Sequence, residues 1–187
     1  FTNFQLLVST LLSSRTKDIT TIPIVRKLFQ KYPLPADLID LDLKALEQEL
    51  YGIGFYKVKA KNIQKLSKII LEQYNGDIPN YLEELILLPG VGRKTANCIL
   101  NYAFHKSAIA VDIHVHRITN RLGWIKTKQA QQSEQELMKI LPLELWNKVN
   151  MLFVDHGQRV CLPLKPKCNA CRISKYCKKI IYSKGRK

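Results

Sequence analysis

Apolar residues recur every three or four positions along most of this chain, the spacing that places them on one face of a helix. The clearest stripes lie within residues 4–12 and 63–70. No segment shows the sustained alternation of apolar and polar residues that a half-buried strand requires. With 46% hydrophobic residues in 187 positions, the chain can bury a core, as one domain or as two small ones. The periodicity therefore predicts an all-α protein.

The chain is also strongly basic. It has 30 Lys and Arg residues against 15 Asp and Glu residues, which gives a formal net charge of +15. Such a balance affects association rather than folding, and it favours a polyanionic partner, with nucleic acid first and an anionic membrane surface second. No apolar run approaches the roughly 20 residues that a membrane-spanning helix needs. We therefore expect a nucleic-acid partner and no membrane.

The segment LPGVGRKTANCIL, residues 88–100, predicts a tight turn between two helices. Pro89 cannot continue a helix, and Gly90 and Gly92 can take backbone angles closed to other residues. The amides of such a turn, next to a helix N-terminus, can bind a phosphate oxygen. Lys94 stands at this helix start, where the helix dipole disfavours an ammonium ion. From the residues alone, Lys94 either grips a phosphate or is a neutral amine nucleophile, which the helix start and partial burial would both favour.

Four cysteines stand close together near the end of the sequence. Cys161, Cys168, Cys171 and Cys177 form the pattern Cys-x6-Cys-x2-Cys-x5-Cys, inside the segment 156–187, which has ten Lys or Arg and no Asp or Glu. Four thiolates so close would repel one another unless a metal centre neutralised them. Both a zinc ion and an iron–sulfur cluster fit this pattern. The compact spacing, without two separated Cys-x2-Cys pairs, favours the cluster.

Asp112 is a third candidate, because it directly precedes a predicted helix. Spacing alone favours an N-cap, a role that aspartate fills well. A carboxylate beside Lys94 could instead stabilise positive charge and move protons. The seven residues before Asp112 can span about 23 Å, more than the ~18 Å rise of the helix after the hairpin. The chain is therefore long enough to bring Asp112 back to that helix start, and both roles stay open.

These segments occur in the order of a known family. The blocks LLSSRTKD at 11–18, GIGFYKVKAKNI at 52–63, LPGVGRKTANCIL at 88–100 and AVDIHVHRI at 110–118, with the terminal cysteines, resemble the DNA glycosylases related to endonuclease III. The resemblance covers essentially the whole chain. It implies the all-α helix-hairpin-helix DNA glycosylase fold.

The resemblance also implies two domains. Residues 1–106 would form a helical barrel domain that carries the helix-hairpin-helix at 82–104. Residues 107–187 would form a smaller helical domain that carries a [4Fe-4S] cluster loop at 161–177.

Individual residues take on roles from the same resemblance. In this family the lysine at the position of Lys94 attacks the sugar carbon that bears the damaged base, and Asp112 is the second catalytic residue. Cys161, Cys168, Cys171 and Cys177 would hold a [4Fe-4S] cluster with an architectural role. The residues implied to contact DNA lie in the hairpin, in two turns that enter the base stack and in the loop between the first two cysteines: Gly90, Val91, Gly92, Arg93, Arg15, Ile53, Phe55, Lys165 and Lys167.

The function implied by the resemblance is base excision repair. The protein would be a bifunctional DNA N-glycosylase and AP lyase, which removes oxidised pyrimidines such as thymine glycol and cleaves the strand by beta-elimination through a lysine Schiff base. Its partner would be double-stranded DNA with a damaged base or an abasic site, bound by a monomer. The expected location is the cytoplasm, at the nucleoid, of a prokaryote, with the nucleus or a mitochondrion as alternatives. Without the resemblance, the hairpin and the basic loop also fit a non-catalytic DNA-binding module, and Phe55 fits a core position.

Overall fold

A computed structural model describes residues 1–180 of the chain. These residues form helices and turns and no β-strand, so the all-α prediction is confirmed. The chain divides into two compact units, Phe1–Lys106 and Ser107–Lys187. The domain predicted for 107–187 includes residues 181–187, which lie outside the described residues. None of the described helices is both long and apolar enough to cross a membrane.

Unit 1 contains seven helices: α1 (Asn3–Ser13), α2 (Asp18–Lys31), α3 (Pro35–Asp40), α4 (Leu43–Glu49), α5 (Tyr56–Tyr74), α6 (Leu82–Leu85) and α7 (Arg93–Tyr102). The long helix α5 packs against α1, α3 and α4, and α7 packs against α1 and α6. Helix α1 begins with a capping box, in which Thr2 Oγ1 accepts from the amide of Gln5 and the Gln5 side chain accepts from the amide of Thr2. This cap fixes the start of the helix that packs against α2, α5 and α7.

The core of unit 1 consists of large aliphatic side chains from nearly every helix. The members with less than 2% exposure are Leu7, Leu12, Leu28, Leu38, Leu46, Leu50, Ile53, Ile63, Leu66, Ile70, Leu85 and Ile99. Helix α3 is not predicted by the periodicity, because Pro33 and Pro35 resemble a stop signal. Pro35 is instead the first residue of α3, where its missing N–H costs nothing.

Unit 2 contains three described helices, α8 (Ile113–Leu122), α9 (Ala130–Ile140) and α10 (Trp146–Arg159), and three short 3-10 turns at Leu143–Leu145, Cys168–Ala170 and Ser174–Tyr176. Helix α8 packs against α9 and α10. The hydrophobic core of unit 2 combines helix residues with residues of the extended segment before α8. Its buried members are Ile109, Val111, Val115, Ile125, Leu137 and Val149. This second core holds α8 in place, with Asp112 at its start.

The glycine hairpin of unit 1 lies tightly against α1 and α5. Gly90 has φ +81°, and a Cβ at this position would lie 2.9 Å from Nδ2 of Asn62 and 3.1 Å from Cδ1 of Leu11. The turn is closed by a hydrogen bond of 3.0 Å from the amide of Val91 to the carbonyl of Leu88. Only glycine satisfies both the left-handed backbone and the close approach at this position. The hairpin therefore fixes where α7 begins.

Gly90→Ala should destabilise the protein more than Gly76→Ala. Both glycines have left-handed φ, but a Cβ at Gly76 would meet nothing within 4 Å. Gly76→Ala should therefore cost about 1 kcal/mol of backbone strain, whereas Gly90→Ala adds about 1–3 kcal/mol of overpacking. Urea unfolding of the two variants measures the difference. Equal losses would mean that the hairpin is not closely packed.

Candidate active site

Lys94 is the second residue of α7 and follows the hairpin directly. Gly92 is the N-cap, with φ −93° and ψ 169°. This is ordinary extended backbone that any residue adopts, so Gly92 does not use the angles that are closed to other residues. A Cβ on Gly92 would still meet no described atom within 4 Å. The open space leaves the first amides of α7 uncovered, where an anion can approach them.

The side chain of Lys94 is exposed, so the partial burial expected from the sequence is wrong. The following residues, Thr95–Asn101, are all buried, which anchors α7 in unit 1. The amine therefore stands on a fixed helix and is accessible to a large substrate. A nucleophile held by a rigid element needs little rearrangement to reach a substrate atom.

The other hairpin residues differ in what they can offer to DNA. Val91 is 5% exposed, and its amide is already used in the turn. A DNA contact by Val91 is therefore limited to its carbonyl. Arg93 is the first residue of α7 and half-buried. The hairpin thus presents mainly backbone and the two basic residues that follow it.

Two exposed side chains project from neighbouring turns of unit 1. Arg15 follows α1 with φ 55°, and Phe55 precedes α5 with φ 59°. The Arg15 guanidinium carbon lies 5.5 Å from the centre of the Phe55 ring, within cation–π range. Phe55 is 62% exposed, so the core interpretation of this residue is wrong. Ile53 is 2% exposed and belongs to the core, which leaves only its backbone to face a ligand.

A hydrogen bond connects the two turns. The amide of Gly54 donates to Thr16 Oγ1 at 3.0 Å. A Cβ on Gly54 would lie 3.0 Å from the carbonyl oxygen of Arg15, so the backbones themselves are close. Arg15 and Phe55 therefore belong to one surface, which we call the two-turn surface (residues 14–16 and 53–55).

Lys59 lies beneath this surface and was not singled out from the sequence. Its side chain is 6% exposed. Nζ donates to the carbonyl of Leu12 at 2.9 Å and to that of Ser14 at 2.6 Å. Burial, and secondly the charge of Arg15, lowers the pKa of Lys59. A signal was present, because Lys59 falls on the same helical stripe as Ile63 and Leu66.

Asp112 caps helix α8. Its Oδ1 accepts from the amide of His114 at 2.8 Å and from that of Val115 at 2.9 Å, so the N-cap interpretation is confirmed. Both bonds use the same oxygen, which is compatible with a second role for Oδ2. Asp112 belongs to unit 2 and Lys94 to unit 1. Their proximity stays a prediction.

The four clustered cysteines line one cavity of unit 2, together with apolar residues that include Ile118, Leu122 and Val160. The cavity volume is about 30 Å³. None of the five cysteines, all of which lie among the described residues, forms a disulfide bond. The cavity therefore surrounds four potential thiolate ligands with a largely apolar wall.

The four clustered cysteines are not arranged around a single metal ion. Among the described residues, no three His, Cys, Asp or Glu side chains are placed to hold one metal ion. Zinc bonds sulfur at about 2.3 Å, so four zinc ligands need sulfur atoms only ~3.8 Å apart. The iron–sulfur cluster at these thiols stays a prediction.

Two arginines of α8 hold the segment that starts at Cys161, and sequence reasoning missed both. Arg121 donates to Sγ of Cys161 at 3.3 Å and to the carbonyls of Leu162 at 2.7 Å and Pro163 at 2.6 Å. Arg117 donates to the carbonyl of Cys161 at 2.9 Å. Positive charge beside a cysteine favours its thiolate. Their i, i+4 spacing on a helix that precedes the cysteines was the available signal.

The loop between the first two cysteines presents its lysines outward. Lys165 and Lys167 are both exposed. The amide of Lys167 donates to the carbonyl of Val160 at 2.9 Å, which pins the base of the loop to the end of α10. Two ammonium groups on a pinned loop can contact phosphates.

Comparison with known proteins identifies the family. Residues 8–143 match the HhH-GPD superfamily base excision DNA repair protein family. The chain is 46% identical over 178 residues to Endonuclease III of Thermotoga maritima, covering 93% of this chain and 82% of that protein. It is 41% identical over 176 residues to Endonuclease III of Bacillus subtilis, covering 94% and 80% respectively.

A solved structure of a trapped covalent intermediate between endonuclease III and DNA has the same fold. Its TM-score is 0.90 at 39% identity, with 96% of this chain and 84% of that chain covered. The family match over residues 8–143 spans the hairpin and the two-turn surface described above. The chain therefore belongs to the HhH-GPD superfamily of base excision DNA repair proteins and, within it, to the endonuclease III family of DNA glycosylases and AP lyases.

Proposed function

We propose that this enzyme removes oxidised pyrimidines, such as thymine glycol, from duplex DNA and then cleaves the strand through a Schiff base on Lys94. The observation that carries the proposal is the exposed amine of Lys94 on the first turn of α7, behind an anion-accessible hairpin. A covalent DNA intermediate of the related endonuclease III structure supports a nucleophilic mechanism. The substrate class rests on the resemblance of the sequence blocks.

The chemistry follows from an amine placed beside a sugar. Nζ of Lys94 attacks the sugar carbon that bears the base, and the base leaves with the electron pair of the broken bond and gains a proton. Loss of a proton from nitrogen and opening of the ring give an imine. The imine makes the proton on the adjacent carbon acidic, and its removal expels the 3′ phosphate by beta-elimination. Water then hydrolyses the imine and releases the lysine.

Asp112 would serve this reaction as a carboxylate. It stabilises the positive charge that develops on the sugar and assists proton transfers around the lysine. Its cap bonds through Oδ1 orient the carboxylate and leave Oδ2 for this role. A cap and a catalytic group are therefore compatible in one residue.

Duplex DNA would be held by three parts of the chain. The hairpin binds a phosphate through the backbone amides beside Gly90 and Gly92 and the positive charge of Arg93, while Val91 closes the turn through its own amide. Lys165 and Lys167 bind phosphates at the cysteine loop. The two-turn surface enters the base stack, where Phe55 wedges and Arg15 pairs with the orphaned base. This filling is needed because the damaged nucleotide must leave the stack to expose its sugar carbon.

Cys161, Cys168, Cys171 and Cys177 would hold a [4Fe-4S] cluster. When bound, the cluster would cross-link the loop and thereby fix the backbone that carries Lys165 and Lys167. Arg121 supports this site because its guanidinium lies 3.3 Å from Sγ of Cys161. A monomer would suffice, since one chain supplies all of these residues, and the bacterial relatives favour the cytoplasm as its location.

Lys94→Gln should abolish the covalent adduct that borohydride traps between the protein and abasic-site DNA, because an amide cannot form an imine. Binding to duplex DNA should persist within a few-fold, since the hairpin amides remain. Gel electrophoresis detects the adduct, and fluorescence anisotropy measures binding. Lys68→Gln, at an exposed lysine of α5, should trap normally. An adduct that survives in Lys94→Gln would refute the role of Lys94, and weakened binding without any lost reaction would favour a non-catalytic module.

Asp112→Asn should slow single-turnover base release by about 10²–10⁴-fold. Asparagine is as good an N-cap as aspartate, so the unfolding temperature should stay close to that of the original protein. Asp112→Ala, which removes the cap as well, should lose about 1 kcal/mol of stability in addition. A normal rate in Asp112→Asn would reduce Asp112 to a helix cap.

Cys168→Ser should remove the visible absorbance of the purified protein and most of its iron, because one of four cluster ligands is lost. Cys98→Ala, at the buried fifth cysteine, should retain about four iron atoms per chain. Metal analysis with sulfide determination measures both. Purified protein that contains one zinc atom and no iron would contradict the cluster assignment.

A further inference from the structure

Lys59 is a buried lysine whose ammonium group has only backbone partners. Its Nζ lies 2.9 Å from the carbonyl oxygen of Leu12 and 2.6 Å from that of Ser14. No carboxylate of the described residues pairs with it. A buried charge without a counter-ion is costly unless hydrogen bonds and dipoles compensate it. The position of the two carbonyls supplies that compensation.

Both carbonyls lie at the C-terminal end of α1, which spans Asn3–Ser13. The last four carbonyls of a helix lack intrahelical partners, and the helix dipole places partial negative charge there. The last turn of α1 contains no basic residue of its own. Lys59 therefore brings from α5 the positive charge that this helix end lacks.

The chain segment that Lys59 binds is the one that carries Arg15. The carbonyl of Ser14 belongs to the peptide bond that joins Ser14 to Arg15, and Arg15 has φ 55°, a conformation unfavourable for a side-chain-bearing residue. Such a conformation persists where its surroundings fix it. On the other side, Thr16 Oγ1 accepts from the amide of Gly54 and so connects Arg15 to the turn of Phe55.

We propose that Lys59 is a positioning residue: its buried ammonium, bonded to the carbonyls of Leu12 and Ser14, holds the turn that presents Arg15, and through Thr16 it fixes Arg15 and Phe55 as one preformed wedge. The proposal rests on the proposed function, in which this wedge enters the base stack. Lys59 itself touches neither DNA nor the reacting atoms. Because Lys59 orders the two-turn surface before DNA binds, the entropy cost of ordering it does not arise when the nucleotide leaves the duplex.

Hydrogen exchange without DNA tests the structural half of this proposal. Lys59→Met keeps much of the buried apolar volume and removes the ammonium group. Exchange should accelerate about 10-fold or more at the amides of Ser14, Thr16 and Gly54, because the hydrogen bonds that these amides donate then open locally. The amides of α7 should keep their protection. Unchanged exchange at Ser14, Thr16 and Gly54, or acceleration throughout unit 1, would overturn the positioning role.

Kinetics on two substrates test the functional half. Lys59→Met should slow single-turnover release of a paired thymine glycol from duplex DNA by about 10- to 100-fold, the effect of a misplaced group far from the chemistry. Cleavage at a preformed abasic site in single-stranded DNA needs no opening of a duplex and should change less than about 2-fold. Equal losses on both substrates would indicate general damage and overturn the proposal.

A mutant cycle checks that Lys59 acts through the wedge. Arg15→Ala combined with Phe55→Ala should show at least the duplex defect of Lys59→Met, and adding Lys59→Met to this pair should slow the reaction by less than about 2-fold more, since the whole wedge is already lost. Additive losses would overturn the proposal. Lys68→Met, an exposed lysine in the same helix, is the matched control. Lys59→Gln is the second variant if Lys59→Met does not fold.

The hydrogen-exchange and kinetic experiments together distinguish a failure of this proposal from a failure of the proposed function. If the original protein releases no base and cleaves no abasic site, the proposed function fails. Exchange at Ser14, Thr16 and Gly54 then still decides whether Lys59 fixes the Arg15 turn. If the original protein is active on both substrates, only the selective duplex defect of Lys59→Met supports the positioning role, and its absence refutes it.

Discussion

The close packing of the end of α1 against the start of α5 determines how unit 1 presents its functional groups. Leu11 and Asn62 leave no room for a side chain at Gly90, so they fix the hairpin and the start of α7. One turn away, Leu12 and Ser14 accept hydrogen bonds from Lys59 and so fix the turn of Arg15. The helix that carries Lys94 and the surface proposed to enter the base stack are therefore built from the same junction. A shift between α1 and α5 would move both.

Two lysines of unit 1 illustrate how helix ends distinguish structural from chemical roles. The ammonium group of Lys59 reaches from the first turn of α5 to the C-terminal end of α1, where a positive charge is stabilised, and its side chain is buried. Lys94 stands at a helix N-terminus, where a positive charge is not favoured, and its side chain is exposed. Folding benefits from the first placement and gains nothing from the second. The position of Lys94 is therefore explained by binding of a substrate rather than by folding.

Local patterns in the sequence predicted much of this structure, because each depends on residues close together in the chain. The helical periodicity, the N-cap at Asp112 and the turn at Gly90 are of this kind. The ring contact of Phe55 and the role of Lys59 depend instead on partners 40 to 47 positions away, at 15 and 12–14 respectively. Periodicity placed Lys59 on a buried face, but it contains no information on which carbonyls would meet it there.

Helix α8 positions the functional groups of unit 2, as the α1–α5 junction positions those of unit 1. Its first turn is capped by Asp112, and its last turns direct Arg117 and Arg121 to the backbone around Cys161. The helix is only ten residues long and rigidly packed against α9 and α10. The position of the carboxylate and the course of the cysteine loop are thus set by one element. Loss of order in the loop would leave Arg117 and Arg121 with fewer partners, and a cluster that orders this loop would thereby also stabilise the helix that orients Asp112.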